Sequence, residues 1–68
     1  MAELGEELRR ERVRRNLTFK DIEQVLHIKT TYLEAIEDGN YAVIPGRVYA
    51  KGFIRNYGNY LGLDGDRL

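Results

Sequence analysis

The chain has no cysteine and no tryptophan, one proline and one histidine in 68 residues. Without cysteine there are no disulfides and no thiolate metal sites, and a lone His27 with no second ligand nearby makes a zinc site improbable. No apolar run approaches the roughly 20 residues that span a bilayer, and Met1-Ala2-Glu3-Leu4 lacks the basic start and apolar core of a signal peptide. Net charge is also missing: eleven Lys and Arg balance eleven Asp and Glu. A neutral total argues against a protein whose main task is to neutralise many phosphates. Nor is there a nucleophile, base and orienting group in any recognisable arrangement, so the chain reads as a non-enzyme that needs no cofactor.

What is present is unevenly spread. Residues 1–20 hold six basic and four acidic side chains. Residues 21–38 then carry Asp21, Glu23, Glu34, Glu37 and Asp38 against Lys29 alone, and from Arg47 to Arg55 there are three cations and no acid. A chain this short buries only about 60% of its unfolded surface, which predicts one small domain. We place that domain over residues 1–63, with 64–68 as the start of a polar linker or tail.

Helical patterning runs throughout, with no strand-like alternation. Leu4 and Leu8, four apart among strong helix formers, predict a helix over about 3–15. Thr18 is placed to cap a second helix over about 19–26, with Asp21 at its third position and Leu17 stapled onto Ile22. Its buried residues should be Ile22, Val25 and Leu26. After the turn His27-Ile28-Lys29, the stripe Tyr32, Leu33, Ile36 marks a third helix over about 30–38, stopped by a left-handed Gly39. Pro45 then opens a fourth helical region over about 46–61, ended by Gly62, with Leu63 folding back. Gly52 leaves open whether that region is one kinked helix or two. The fold class is therefore all-α, a compact four- to five-helix domain.

Two helices of eight and nine residues around a three-residue turn have the spacing of a helix-turn-helix unit. Leu17-Thr18, Ile28, Leu33 and Ile36-Glu37-Asp38-Gly39 resemble the repressor-type helix-turn-helix family. That resemblance implies an ion pair between Glu37 and Arg12 of the first helix, which reads as scaffold. A DNA-reading third helix would turn Thr30, Thr31, Glu34 and Ala35 outward, with Lys20 and Lys29 on phosphates. Specific readout relies on Arg, Lys, Asn or Gln, and this surface supplies none of them to bases while adding carboxylates. The pattern suits a helix-turn-helix reused to bind protein, since fold does not fix function. Sequence-specific DNA binding through Thr30, Thr31, Lys20 and Lys29 is the alternative.

Four of the seven aromatic rings fall in YAKGFIRNYGNY, residues 49–60. At about 100° per residue, Ala50, Ile54 and Leu61 share one side of the fourth helix and Tyr49, Phe53 and Tyr60 the next, with Tyr57 between. Lys51, Arg55 and Asn59 take the far face. Periodicity alone leaves Phe53 and Tyr57 open between core and surface, and Tyr49 reads as a ring lying over Phe53 with its hydroxyl in water.

Taken together, Leu4-Gly5-Glu6, Leu8-Arg9, Arg12, Ile28, Tyr32-Leu33-Glu34-Ala35-Ile36-Glu37, Ile44-Pro45-Gly46, Tyr49, Gly52-Phe53-Ile54-Arg55, Tyr57 and Leu61-Gly62-Leu63 resemble the N-terminal cytoplasmic domain of the RodZ family. The likeness covers essentially the whole chain. Lys29 departs from it where a capping serine is common, and Gly58 where alanine is. The resemblance implies an adaptor in a bitopic bacterial cell-shape protein that binds the actin-like filament MreB. Its contacts would be Phe53 and Tyr57, with Tyr49 beside them and Lys51 and Arg55 steering an acidic partner. It further implies a cytoplasmic location at the inner face of the membrane, with the anchor outside these residues and no membrane contact by this segment itself.

Overall fold

A computed structural model describes residues 3–63; the linker expected over 64–68 lies outside the described residues. The chain runs α1 (Glu3–Arg14), α2 (Phe19–Leu26), α3 (Thr30–Asp38), a short 3-10 helix (Tyr41–Val43) and α4 (Arg47–Tyr60). There is no strand among the described residues.

Local chemistry sets the boundaries. At the start of α2 the Asp21 N–H donates to Thr18 Oγ1 at 3.1 Å, and the Thr18 N–H donates to Asp21 Oδ2 at 3.0 Å. Two otherwise unpaired donors of the first turn are thereby satisfied reciprocally. The Thr18 backbone N–H, then the Thr18 side chain, hold the Asp21 carboxyl below its ordinary range. All four α-helices are followed by a residue with left-handed backbone: Asn16 (φ 57°), His27 (φ 59°), Gly39 (φ 74°) and Gly62 (φ 81°). After α1, α3 and α4 the next N–H reaches back: Leu17 to the Arg12 carbonyl, Asn40 to Ala35 and Leu63 to Gly58. This geometry satisfies the last carbonyls of a helix and turns the chain sharply.

The fourth region is a single α-helix that continues through Gly52. Its N-cap is Gly46, after Pro45, so the helix proper starts one residue later than the sequence indicated.

The core is built from Leu8 of α1, Ile22 of α2, Ile28 of the turn, Leu33 and Ile36 of α3, Ile44 of the loop, and Tyr57 and Leu61 of α4. Leu4, Leu17, Phe19, Leu26, Ala50, Ile54 and Leu63 pack around it, as do the rings of Tyr32, Phe53 and Tyr60. Two expectations are corrected here. Val25 is exposed, because the buried stripe of α2 runs through Phe19, Ile22 and Leu26 and leaves Val25 on the other flank of Ile22. Ala35, expected to face outward, is buried. The axes of α1 and α3 come close enough at Gly5 that a Cβ there would lie 2.1 Å from the Glu37 carbonyl oxygen.

Candidate protein-interaction surface

The tie between the helix-turn-helix and the other helices is the Glu37 carboxylate, whose side chain is fully buried at the end of α3. The Arg12 Nε donates to its Oε2 at 2.7 Å and the Arg12 Nη2 to its Oε1 at 3.1 Å, a bidentate pair. Arg12 Nη1 also donates to the Leu17 carbonyl, and its guanidinium carbon lies 4.2 Å from the Phe19 ring centre. Arg9 adds a bond to Glu37 and reaches Asp38 at 2.7 Å.

From α4 the Tyr57 hydroxyl donates to Glu37 Oε2 at 2.5 Å. Burial, reinforced by the neighbouring carboxylate, pushes the Tyr57 phenol far above its ordinary value. This corrects the expectation that Tyr57 is a contact residue: its ring is wholly enclosed and its hydroxyl is spent inside the molecule. The one requirement for a buried tyrosine, an internal hydrogen-bond partner, is met by Glu37.

The other rings behave differently. Phe53 is half-buried between two tyrosines, with Tyr32 of α3 stacked at 5.9 Å between ring centres and Tyr49 of α4 at 6.3 Å. Tyr49 is 64% exposed. Lys29, at the start of α3, sits 5.8 Å from the Tyr32 ring centre. One row of Lys29, Tyr32, Phe53 and Tyr49 therefore crosses from the helix-turn-helix onto α4. Offset stacks at such spacings favour a fixed ring arrangement, and Tyr and Phe are enriched where proteins meet. Lys51 and Arg55 are exposed on α4, but on the far side of it from the row. Tyr32 joins this row although its place in the apolar stripe of α3 reads as core, and its ring also packs against the core.

The residues of the alternative DNA surface are also placed. Lys20, Lys29 and Thr31 are exposed and Thr30 is partly covered. Beside them Glu34 and Asp38 are exposed on α3, and Asp21 on α2. Among the described residues, no buried side-chain nitrogen or oxygen lacks a partner.

The α2–turn–α3 geometry, braced by α1 and α4, defines the class as an all-helical helix-turn-helix domain. Residues 7–68 match the family model for a helix-turn-helix domain, and the chain belongs to that family. Over 52 residues, 76% of the chain, it is 40% identical to the uncharacterized membrane protein YmfM of Bacillus subtilis (strain 168). It spans 18% of that relative's length. No solved structure matches the chain. Among the described residues no helix is long and apolar enough to cross a membrane.

Proposed function

We propose that this domain is the RodZ-type helix-turn-helix module of a membrane-anchored bacterial cell-shape protein, a non-enzymatic adaptor that binds an MreB-like actin filament at the inner face of the membrane. The observation that carries this reading is the aromatic row, in which Tyr49 is exposed and Tyr32 and Phe53 are half-buried. Phe53 is stacked between Tyr32 and Tyr49, a packing that limits the side-chain entropy lost when a partner docks. Tyr49 and Phe53 are the contacts and Tyr32 extends them; Lys51 and Arg55, expected beside them, lie on another side of α4 and are not among the contacts. Tyr57 acts from within, by fixing α4 to Glu37. The membrane-protein relative supports the anchored setting.

The test is co-sedimentation with MreB filaments. Replacing both Tyr49 and Phe53 by alanine should remove the domain from the filament pellet while circular dichroism still reports the helices. The Tyr57→Phe variant should pellet as the parent does. A folded double variant that still pellets would overturn the reading.

Membership of the helix-turn-helix family favours one second reading, duplex DNA held by Lys20 and Lys29 with Thr30 and Thr31 at the bases. It requires a steep fall in affinity with salt and enrichment of some sequence from a random duplex pool. The carboxylates of Glu34 and Asp38 on the same helix weigh against it.

A further inference from the structure

From Gly39 to Leu63 the chain contains Arg47, Lys51 and Arg55 and not one carboxylate. Three of the large apolar side chains that stand exposed, Tyr41, Val43 and Val48, fall within eight residues of this same stretch. Val48 is 82% exposed, so its side chain gains almost nothing from folding and stays available for burial against a partner. It lies next to Arg47 on the first turn of α4, and Lys51 follows one turn later. Arg47 also borders a shallow groove of about 380 Å³ whose other walls are Tyr41, Ala42, Ile44, Gly46 and Ala50.

We infer that this face, formed by the 3-10 helix and the start of α4, docks on an anionic lipid surface. Three features favour a bilayer over a peptide. The most exposed apolar side chain, Val48, is outside the groove, where a peptide would need it inside. Protruding aliphatic groups flanked by cations and a tyrosine are the composition of interfacial anchors, which enter the headgroup region and leave their charges at the phosphates. Finally, no acidic side chain in the segment opposes a negative surface. Two cations and a few apolar groups make only a weak, reversible contact. That suffices for a domain already tethered to the membrane, since tethering holds the local concentration near the millimolar range. The inference rests on the proposed membrane anchor only for this last step, because vesicle binding is measured without filament or anchor.

The experiment is sedimentation of the chain with phosphatidylcholine vesicles that contain or lack phosphatidylglycerol. The chain should pellet with the anionic vesicles, stay in solution with the neutral ones, and be released by salt. Arg47→Gln and Lys51→Gln should each lower partitioning about fivefold, the equivalent of about 1 kcal/mol per cation near an anionic surface. Val48→Asp should abolish it without unfolding the domain, because an acid in the first turn of a helix suits the helix dipole. Failure to pellet with anionic vesicles, or binding indifferent to all three substitutions, would overturn the inference. So would capture of an acidic apolar peptide in the groove by a chain that ignores vesicles. Because filament binding is read separately, either proposal can fail alone.

Discussion

Glu37 accepts four hydrogen bonds from three side chains, those of Arg9, Arg12 and Tyr57. A buried carboxylate is tolerable only when its lone pairs are filled and its charge is balanced, and here a bidentate guanidinium does most of both. The Tyr57 hydroxyl is the part contributed by α4. Tyr57→Phe keeps the ring in the core and leaves Glu37 with its arginines, so it should cost about 1.5 kcal/mol, the low end for a bond to a charged acceptor. The variant should differ from the parent in a pH-dependent way. The folded phenol is held above its ordinary value, so the folded state keeps a proton that the unfolded chain loses above about pH 10. The stabilisation from Tyr57 is complete below that pH and declines as pH rises beyond it. Urea midpoints compared at about pH 8 and about pH 11 should therefore show the gap between parent and variant narrowing. A gap that widened at high pH would contradict the assignment.

Among elements, α1 and α4 carry glycines of opposite meaning. Gly5 has no room for a methyl group, since its Cβ would fall 2.1 Å from one Glu37 backbone atom and 2.8 Å from the Ile36 carbonyl. Neither is a flexible side-chain end, so Gly5→Ala must part α1 from α3 and should cost at least the roughly 1–3 kcal/mol of an overpacked core. Gly52 has nothing within 4 Å of the same position. Gly52→Ala should instead stabilise α4 by about 0.5–1 kcal/mol, because only helix propensity changes. Thermal denaturation of the two variants should move in opposite directions.

The same elements show what the sequence made legible. The ends of α2 and α3 were readable because Thr18, Asp21 and Gly39 act through bonds within a few residues. The identity of the buried α2 stripe was not: in eight residues, Val25 and Phe19 lie on either side of Ile22 and only the neighbouring helices choose between them. The Arg12–Glu37 pair came from family resemblance, whereas its extension to Arg9 and Tyr57 came only from packing. The helical wheel sets Tyr57 between the aliphatic side of Ala50, Ile54 and Leu61 and the aromatic side of Tyr49, Phe53 and Tyr60, and so leaves it open between core and surface. What it lacks is the buried acceptor, twenty residues away on α3, that lets a tyrosine hydroxyl stay in the core.

At the scale of the molecule, α4 presents two faces outside the core. Lys51 and Phe53 lie about 160° apart around the helix, and Val48 and Phe53 about 140°, at about 100° per residue. A filament seated on the aromatic row and a bilayer under Val48 and Arg47 would thus approach from different sides, and neither would exclude the other. The expected outcome is that anionic vesicles float MreB filaments to the top of a density gradient only when the domain is added. Val48→Asp should abolish this co-flotation and leave filament co-sedimentation intact. The Tyr49→Ala, Phe53→Ala double variant should do the reverse, keeping vesicle binding while losing filaments. Were either change to remove both activities from a folded domain, one surface would be serving both partners and the two-faced arrangement of α4 would be wrong.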